Sequence, residues 1–326
     1  MSAEHWRVTD GVVALRPSTA ADAVTLVAGR DAEWRRWLGP GDHEPHPTAC
    51  VEVGGQVVGW VDHDDESTWL AQGQVNVGYS VFAPWRGRGV CTRALMLLVH
   101  RLALDGRVHE VTALIDADNT RSLDVARRAR MAERPSPLAG QRYFVRAVPP
   151  LEYADGTIVI RPQEVADLDA DLGAKDAEQM RWLWRADQRD QWQAMTPRER
   201  RSHARRGLEA NRRAFGTGPK WTFAVDHGTA RAVGYVDADL ANPHAPAGEA
   251  NIAYSVHPAH RSRGVARNAV GCVIEFVRDH TAARRAHIVV DAENEPSLRV
   301  ARAVGAVEVG SFEDDGRTMI RHVLEL

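Results

Sequence analysis

The second half of this chain repeats the first, and a chain that repeats itself over this length has to fold as two copies of one unit. Asp10-Gly11-Val12-Val13-Ala14-Leu15-Arg16-Pro17 returns 145 residues later as Asp155-Gly156-Thr157-Ile158-Val159-Ile160-Arg161-Pro162. Glu33, Trp37 and Leu38 map at the same offset onto Glu178, Trp182 and Leu183. Further along the offset becomes 175, so that Gly73–Ser80 aligns with Gly248–Ser255 and Arg86-x-x-Gly89 with Arg261-x-x-Gly264. Asp116, Asn119, Ser122 and Arg142 then fall on Asp291, Asn294, Ser297 and Arg317. The joint lies near Pro149-Pro150, which sets the expected domains at 1–150 and 151–326. Halves of this length can each bury an ordinary core.

Within a copy the hydrophobic pattern alternates between strand and helix periods. Strands are expected at Val12–Arg16, as a pair over Cys50–Asp62, and at Val75–Phe82, Glu110–Ile115 and Arg142–Val148. Helices are expected at Ala20–Leu38, Gly89–Leu104 and Ser122–Arg130. The change of offset marks extra residues in the second copy, Asp187–Gly216, where Thr196-Pro197-Arg198-Glu199 is a helix start and the Arg-rich run to Arg213 a second helix. The first copy has Gly39–Pro47 there, too rich in Pro and Gly for a helix.

The most informative stretch is Gly248–Cys272. A short apolar run ending Tyr254-Ser255-Val256 is broken at His257-Pro258, and Arg261-Ser262-Arg263-Gly264-Val265-Ala266 leads into an apolar-periodic helix. A strand, a tight Gly turn and a helix start gather unpaired N–H groups at the positive end of a helix dipole, a site for a pyrophosphate. The first copy has Ser80-Val81 and Arg86-Gly87-Arg88-Gly89-Val90-Cys91 in the same places.

Arg-x-x-Gly-x-Ala after such a strand resembles the acetyl-CoA signature of the GCN5-related N-acetyltransferase (GNAT) superfamily. The order of elements and the Asn119-x-x-Ser122 and Asn294-x-x-Ser297 repeats carry the resemblance over nearly the whole chain. Glu33-Trp34-Arg35-Arg36-Trp37-Leu38 and Val77-Gly78-Tyr79 are most similar to the subgroup that acetylates ribosomal-protein N-termini. The resemblance implies an α/β (α+β) fold of two tandem GNAT domains. Each would be a mixed, mostly antiparallel sheet flanked by helices, with a splayed strand pair for acetyl-CoA. It also implies that the first copy, lacking the extra helices, has lost one wall of its acceptor region. Trp182, Trp184 and Trp192 bring aromatic surface to that wall in the second copy, or pack in its core.

By the same resemblance, acetyl-CoA contacts are expected at Ser255, Val256, His257, Arg261, Ser262, Arg263, Gly264, Val265, Ala266 and Asn294. Their first-copy equivalents are Ser80, Val81, Arg86, Gly87, Arg88, Gly89, Val90, Cys91 and Asn119. Backbone amides around Ser255–His257 would polarise the thioester carbonyl. Acetyl transfer to an amine also needs a base and a proton for the leaving thiolate. Where the subgroup often has a basic Glu, this chain has Asn76 and Asn251, and where many members have an acidic Tyr it has Ala126 and Ala301. Strand period places Glu249 on the face of Asn251, which makes it the candidate base, against the alternative of an exposed strand-start carboxylate. Ser297, with Ser122 in the first copy, is the candidate acid or an N-cap hydroxyl. Asn294 and Asn119 would orient cofactor or water. Asp62–Glu66 and Asp237-x-Asp239 read as solvated hairpin ends, with attraction of a cationic amine as the second reading.

Composition narrows the rest. The net charge of −3 gives no support to a nucleic-acid partner, and no apolar run reaches the ~18 residues that span a bilayer. The first residues lack the features of a secretory leader. Cys50, Cys91 and Cys272 are unpaired in spacing, which argues against disulfides and metal and fits a reducing cytoplasm. The expectation is an acetyl-CoA-dependent, metal-free N-acetyltransferase, a monomer or weak dimer acting by direct attack of a small primary amine. The alternatives are a peptide or protein N-terminus as acceptor, or a non-enzymatic CoA-binding module. Catalysis is expected in the second copy.

Overall fold

A computed structural model describes residues 6–326. The chain divides into two compact units, one running to Pro150 and including His280–Ala282, the other comprising Leu151–Asp279 and Ala283–Leu326.

Unit 1 begins with strands β1 (Val8–Thr9) and β2 (Ala14–Pro17), then helices α1 (Ala23–Ala28) and α2 (Ala32–Leu38). The hairpin β3 (Ala49–Val53) and β4 (Gln56–Asp64) leads to β5 (Gln74–Val81), α3 (Val90–Asp105), β6 (Glu110–Asp116) and α4 (Thr120–Arg128). Strands β7 (Ala132–Arg134) and β8 (Gln141–Ala147) close it. Unit 2 repeats the plan with β9 (Tyr153–Ala154), β10 (Ile158–Pro162), α5 (Leu168–Gly173) and α6 (Ala177–Leu183). It then adds α7 (Ala186–Ala194) and α8 (Pro197–Phe215), before β11 (Lys220–His227), β12 (Ala230–Asp239), β13 (Ala250–Val256), α9 (Val265–His280), β14 (Arg285–Asp291), α10 (Glu295–Ala303), β15 (Val307–Asp314) and β16 (Arg317–Glu325).

Both sheets have eight strands, in the orders β1-β2-β3-β4-β5-β6-β8-β7 and β9-β10-β11-β12-β13-β14-β16-β15. All neighbours are antiparallel except β5 with β6 and β13 with β14. A parallel pair needs a crossover, and α3 and α9 supply it. Helix α3 is apolar nearly all round and is buried to match: the consecutive Leu95, Met96, Leu97 and Leu98, which point to every side, are each 1% exposed. Each such burial contributes about 1.5–3 kcal/mol. Gly106, at φ 71°, ends the helix by donating its N–H to Leu102 O.

The single helix expected over Ala20–Leu38 is two helices. Arg30 N–H turns back to Val27 O, and the Asp31 carboxylate accepts from Trp34 N–H (2.8 Å), so a fresh N-cap interrupts the apolar period. The second copy breaks in the same way at Asp176, which accepts from Gln179 N–H (2.8 Å). Helix α8 starts where expected, with Pro197 after Thr196, whose hydroxyl and backbone N–H share the Glu199 carboxylate. Ala204 and Leu208 of α8 pack on Leu168 and Leu172 of α5. Residues 39–47 form no helix. Among the described residues, no helix is long and apolar enough to cross a membrane.

Candidate active site

Each sheet opens at its parallel pair. In unit 2, β13 and β14 are in register only at Ala250–Ala286 and Asn251–His287, after which Ile252–Val256 runs on without a partner on that side. In unit 1, β5 and β6 pair at Gln74–Glu110, Val75–Val111 and Asn76–Thr112 before Val77–Val81 diverges. A cavity of about 670 Å³ occupies the opening in unit 1, and one of about 540 Å³ the opening in unit 2.

The ladder decides which backbone groups face the opening. His257 N–H donates to Val233 O (2.8 Å), so by antiparallel alternation the N–H groups of Ser255 and His257 belong to β12. Those of Tyr254 and Val256 point into the opening. Phe82 N–H donates to Val58 O (2.8 Å) and imposes the same alternation on Tyr79 and Val81. Two expected backbone contacts, at Ser255 and His257, are therefore corrected. Ser255 and Ser80 reach the cavity walls as side chains, and Val256 and Val81 offer the amides. Burial pushes the His257 imidazole down to about 4, so it is neutral near pH 7.

The signature arginines do something other than expected. Arg261 donates Nε to Val256 O (3.0 Å) and both terminal nitrogens to the Asp176 carboxylate (2.8 and 2.9 Å), with Glu178 at 2.6 Å. Its own N–H is used by Pro258 O (3.3 Å). Arg86 repeats this with Val81 O (2.9 Å), Asp31 (2.6 and 3.0 Å) and Glu33 (3.0 Å). Each arginine thus ties the end of the diverging strand to the N-cap of the helix above it, and has no donor pair left for a phosphate. Hydrogen bonds from Arg86 hold the Asp31 carboxyl down at about 2, and those from Arg261 lower Asp176. Asp31 and Asp176 were legible only as another pair at the 145-residue offset.

The turns keep the anion-site geometry. Gly87, Gly89 and Gly264 have φ of 74°, 76° and 81°, and a Cβ built on any of them meets nothing within 4 Å. Ser262, at φ 59°, stands in the left-handed region where unit 1 has Gly87. The first-turn N–H groups of Val90–Thr92 and Val265–Arg267 have no intrahelical acceptors. Ala266 and Cys91 line the walls, and burial raises the Cys91 thiol to about 12, which keeps it protonated. Arg88 and Arg263 are exposed, Arg88 lying over the Trp85 ring at 5.4 Å. The cavity of unit 2 gains a cation that sequence reading missed, Arg267, where unit 1 has Thr92.

Across the opening, Asn119 and Asn294 are the N-caps of α4 and α10, accepting from Ser122 and Ser297 N–H at 3.2 Å. The cap is therefore the Asn, correcting the N-cap alternative for the serines. Both serine hydroxyls line the cavities without a hydrogen-bond partner among the described residues. Tyr79 and Tyr254, noted only as strand markers, span the opening and donate to Ser122 O and Ser297 O at 3.2 Å. Burial raises the Tyr254 hydroxyl to about 12.

Glu249 is corrected as a base. It precedes β13, outside the cavity walls, and accepts from Arg285 (3.0 and 2.6 Å) and His287 Nε2 (2.6 Å). Partial burial alone would raise its carboxyl, but the bonds from His287 and Arg285 outweigh it and hold the group below its ordinary range. A carboxylate so committed fastens the closed end of the opening and is a poor proton acceptor. Gln74 does the same in unit 1 by donating to Glu110.

A family profile described as acetyltransferase (GNAT) domain matches residues 13–132 and again 157–307. The chain belongs to the GNAT acetyltransferases, and carries the domain twice. No curated protein matches it. Solved structures similar to it include a GNAT-family acetyltransferase from Bacillus anthracis, at 17% identity and a TM-score of 0.43 over 53% of this chain and 98% of that one. Another is the acetyltransferase of Salmonella typhimurium that modifies the N-terminal serine of ribosomal protein L7/L12, at 14% identity and 0.42 over 53% and 96%. The microcin C7 self-immunity acetyltransferase MccE, in complex with acetyl-CoA and AMP, matches at 15% and 0.40 over 53% and 94%.

Proposed function

We propose that the chain transfers the acetyl group of acetyl-CoA to a small primary amine by direct attack in a ternary complex, and that unit 2 carries the reaction. The observation that supports it is the opening between β13 and β14. It is walled by the free amide strand, the Gly264 turn and Ser297, the parts an acyl transfer needs in one place. The residues of unit 2 fit acetyl-CoA. Open space at Gly264, three free amides at the α9 N-terminus and Arg267 form a cradle for a pyrophosphate. When bound, acetyl-CoA supplies the thioester. Val256 N–H would hold its carbonyl oxygen, and Ser297 Oγ would pass a proton to the departing sulfur. We take the boundary between domains at Pro149-Pro150.

The test is CoA release from purified protein against a panel of primary amines and N-terminal peptides, with acetyl-CoA affinity measured in parallel. Turnover with small amines is the expected result. Turnover confined to peptides would move the acceptor to a protein N-terminus. Acetyl-CoA binding without turnover would make the chain a binding module.

A further inference from the structure

The helix that α8 covers in unit 2 has a bare counterpart in unit 1. In unit 2, Ala204 and Leu208 of α8 are buried against Leu168 and Leu172 of α5. Two polar contacts hold the edges of this packing. Arg201 is ion-paired to Asp169, and Asn211 Nδ2 donates to Gln163 Oε1 (2.8 Å). At the 145-residue offset α5 falls on α1, so that Leu168, Asp169 and Leu172 become Ala23, Val24 and Val27. Residues 39–48, which join α2 to β3, form no helix that could take the place of α8. Val24 is left 81% exposed and Val27 46%. Three residues apart, the two valines share one side of α1.

Nothing around the two valines brings a charge to the surface. The other exposed residues of the stretch Ala20–Ala28 are Ala20, Ala21, Thr25 and Ala28. Its one ionisable group, Asp22, is buried and held by both terminal nitrogens of Arg16 (2.8 and 2.7 Å). Gln163 gives way to Ser18, whose hydroxyl donates to Pro47 O. Both side chains that grip the edges of α8 in unit 2 are therefore replaced in unit 1, while an apolar seat remains. A helix side of this kind left in water is the kind of patch that marks an interaction site.

We propose that α1 of unit 1 is a docking face for one amphipathic helix of another polypeptide. The incoming helix presents small and branched apolar residues four apart, as Ala204 and Leu208 are, and an uncharged residue where α8 has Arg201. The duplicate shows what shape covers this face, since α5 takes a helix across the same positions. Charge decides which helix fits. A cation brought against Val24 would lose water without the acid that Asp169 supplies in unit 2. Size decides against a second copy of this chain. The stretch Ala20–Ala28 is about 14 Å long, and its exposed side falls well short of the roughly 800 Å² per partner that a stable pair of copies needs.

The experiment titrates the full chain into fluorescein-labelled synthetic peptides of the α8 sequence, Pro197–Phe215, and reads anisotropy. One peptide is native, a second carries Arg201→Leu, and a third carries Arg201→Leu with Leu208→Asp. The Arg201→Leu peptide is expected to bind with a Kd below ~100 μM. Leu208→Asp in the peptide, or Val24→Asp in the protein, should weaken it at least ~10-fold. Val24→Asp keeps the fold, because Val24 is exposed and α5 carries Asp169 at the same place. Val307→Asp, at an exposed valine outside this face, should change the Kd by less than about twofold. The native peptide should prefer Val24→Asp to wild type by about threefold, because Arg201 then meets an acid. No binding of the Arg201→Leu peptide at about 500 μM, or a Kd that Val24→Asp leaves unchanged, overturns the docking face. A native peptide that prefers the wild type overturns the requirement for an uncharged helix. Sedimentation showing a wild-type dimer that Val24→Asp dissociates would give the face to a second copy and overturn the proposal as well.

Discussion

The two units share a register, a turn and an opening, yet they differ on one face of the sheet beside it. In unit 1, Phe82 presses on Gly29 so closely that a Cβ there would lie 2.1 Å from the ring, and Trp60 covers Gly78. Position 145 residues after Gly29 holds Ala174, and the residue aligned with Phe82 is His257. Trp34, with its Nε1 buried and unpaired, gives way to Gln179, whose buried Oε1 is also unpaired. Unit 1 packs aromatic rings on this face, where unit 2 has Ala174, His257 and Gln179, and unit 2 adds α8, which packs on α5. A duplicated fold thus keeps its cofactor geometry through backbone register, which is costly to change, and diverges through side chains on one face, which is not.

That contrast can be broken at its joints. Asp176→Ala removes both the α6 N-cap and the anchor of Arg261, and is expected to cost about 2–3 kcal/mol of stability and roughly tenfold in acetyl-CoA affinity. Chemical denaturation and calorimetric titration check the two effects. If acetyl-CoA affinity is lost completely while stability is unchanged, Arg261 contacts the phosphates after all. Glu249→Gln comes next. It should lower stability by about 1–2 kcal/mol, because the charge opposite Arg285 is lost and one of Arg285 and His287 then faces an amide N–H instead of an oxygen, and leave turnover within about threefold. A loss of ~100-fold would restore Glu249 as the base.

His257→Gln tests the polar face by pH. The native imidazole, held at about 4 by burial, refuses the proton that the unfolded chain takes up below its ordinary value of 6.5. Its contribution is therefore present above pH 6.5 and lost as pH falls toward 4. At pH 5 the loss is roughly 1 kcal/mol once solvent screening is allowed for. Melting curves at pH 7 and 5 should show a smaller drop in the variant than in wild type. The smallest effect is Ser262→Gly, which relieves a φ of 59° and should stabilise unit 2 by about 0.5–1 kcal/mol.

The sequence made the duplication, the strand order and the pyrophosphate turn legible because all three are patterns along the chain. Thr196-Pro197 announced α8 for the same reason. What it hid lies across the chain. Nothing local to Arg261 says that its guanidinium turns back to Asp176 instead of forward to a ligand. Glu249 shares strand parity with Asn251, but the parallel strand β14 brings Arg285 and His287 to it, and only tertiary pairing reveals that. Asp237 read as a solvated hairpin end, but its register with Ala253 and its ion pair with Lys220 bury it within the sheet, at 4% exposure.

The claim that unit 2 performs the chemistry is tested most directly by a paired substitution, Gly89→Glu and Gly264→Glu. Both glycines are left-handed, at φ 76° and 81°, and both have open space where a Cβ would go. The strain of about 1 kcal/mol is therefore matched, and each adds one negative charge at a helix N-terminus. CoA release at saturating amine should fall at least ~1,000-fold in Gly264→Glu and stay within about twofold in Gly89→Glu. The reverse pattern, with turnover abolished by Gly89→Glu and kept in Gly264→Glu, would place the active centre in unit 1 and contradict the account.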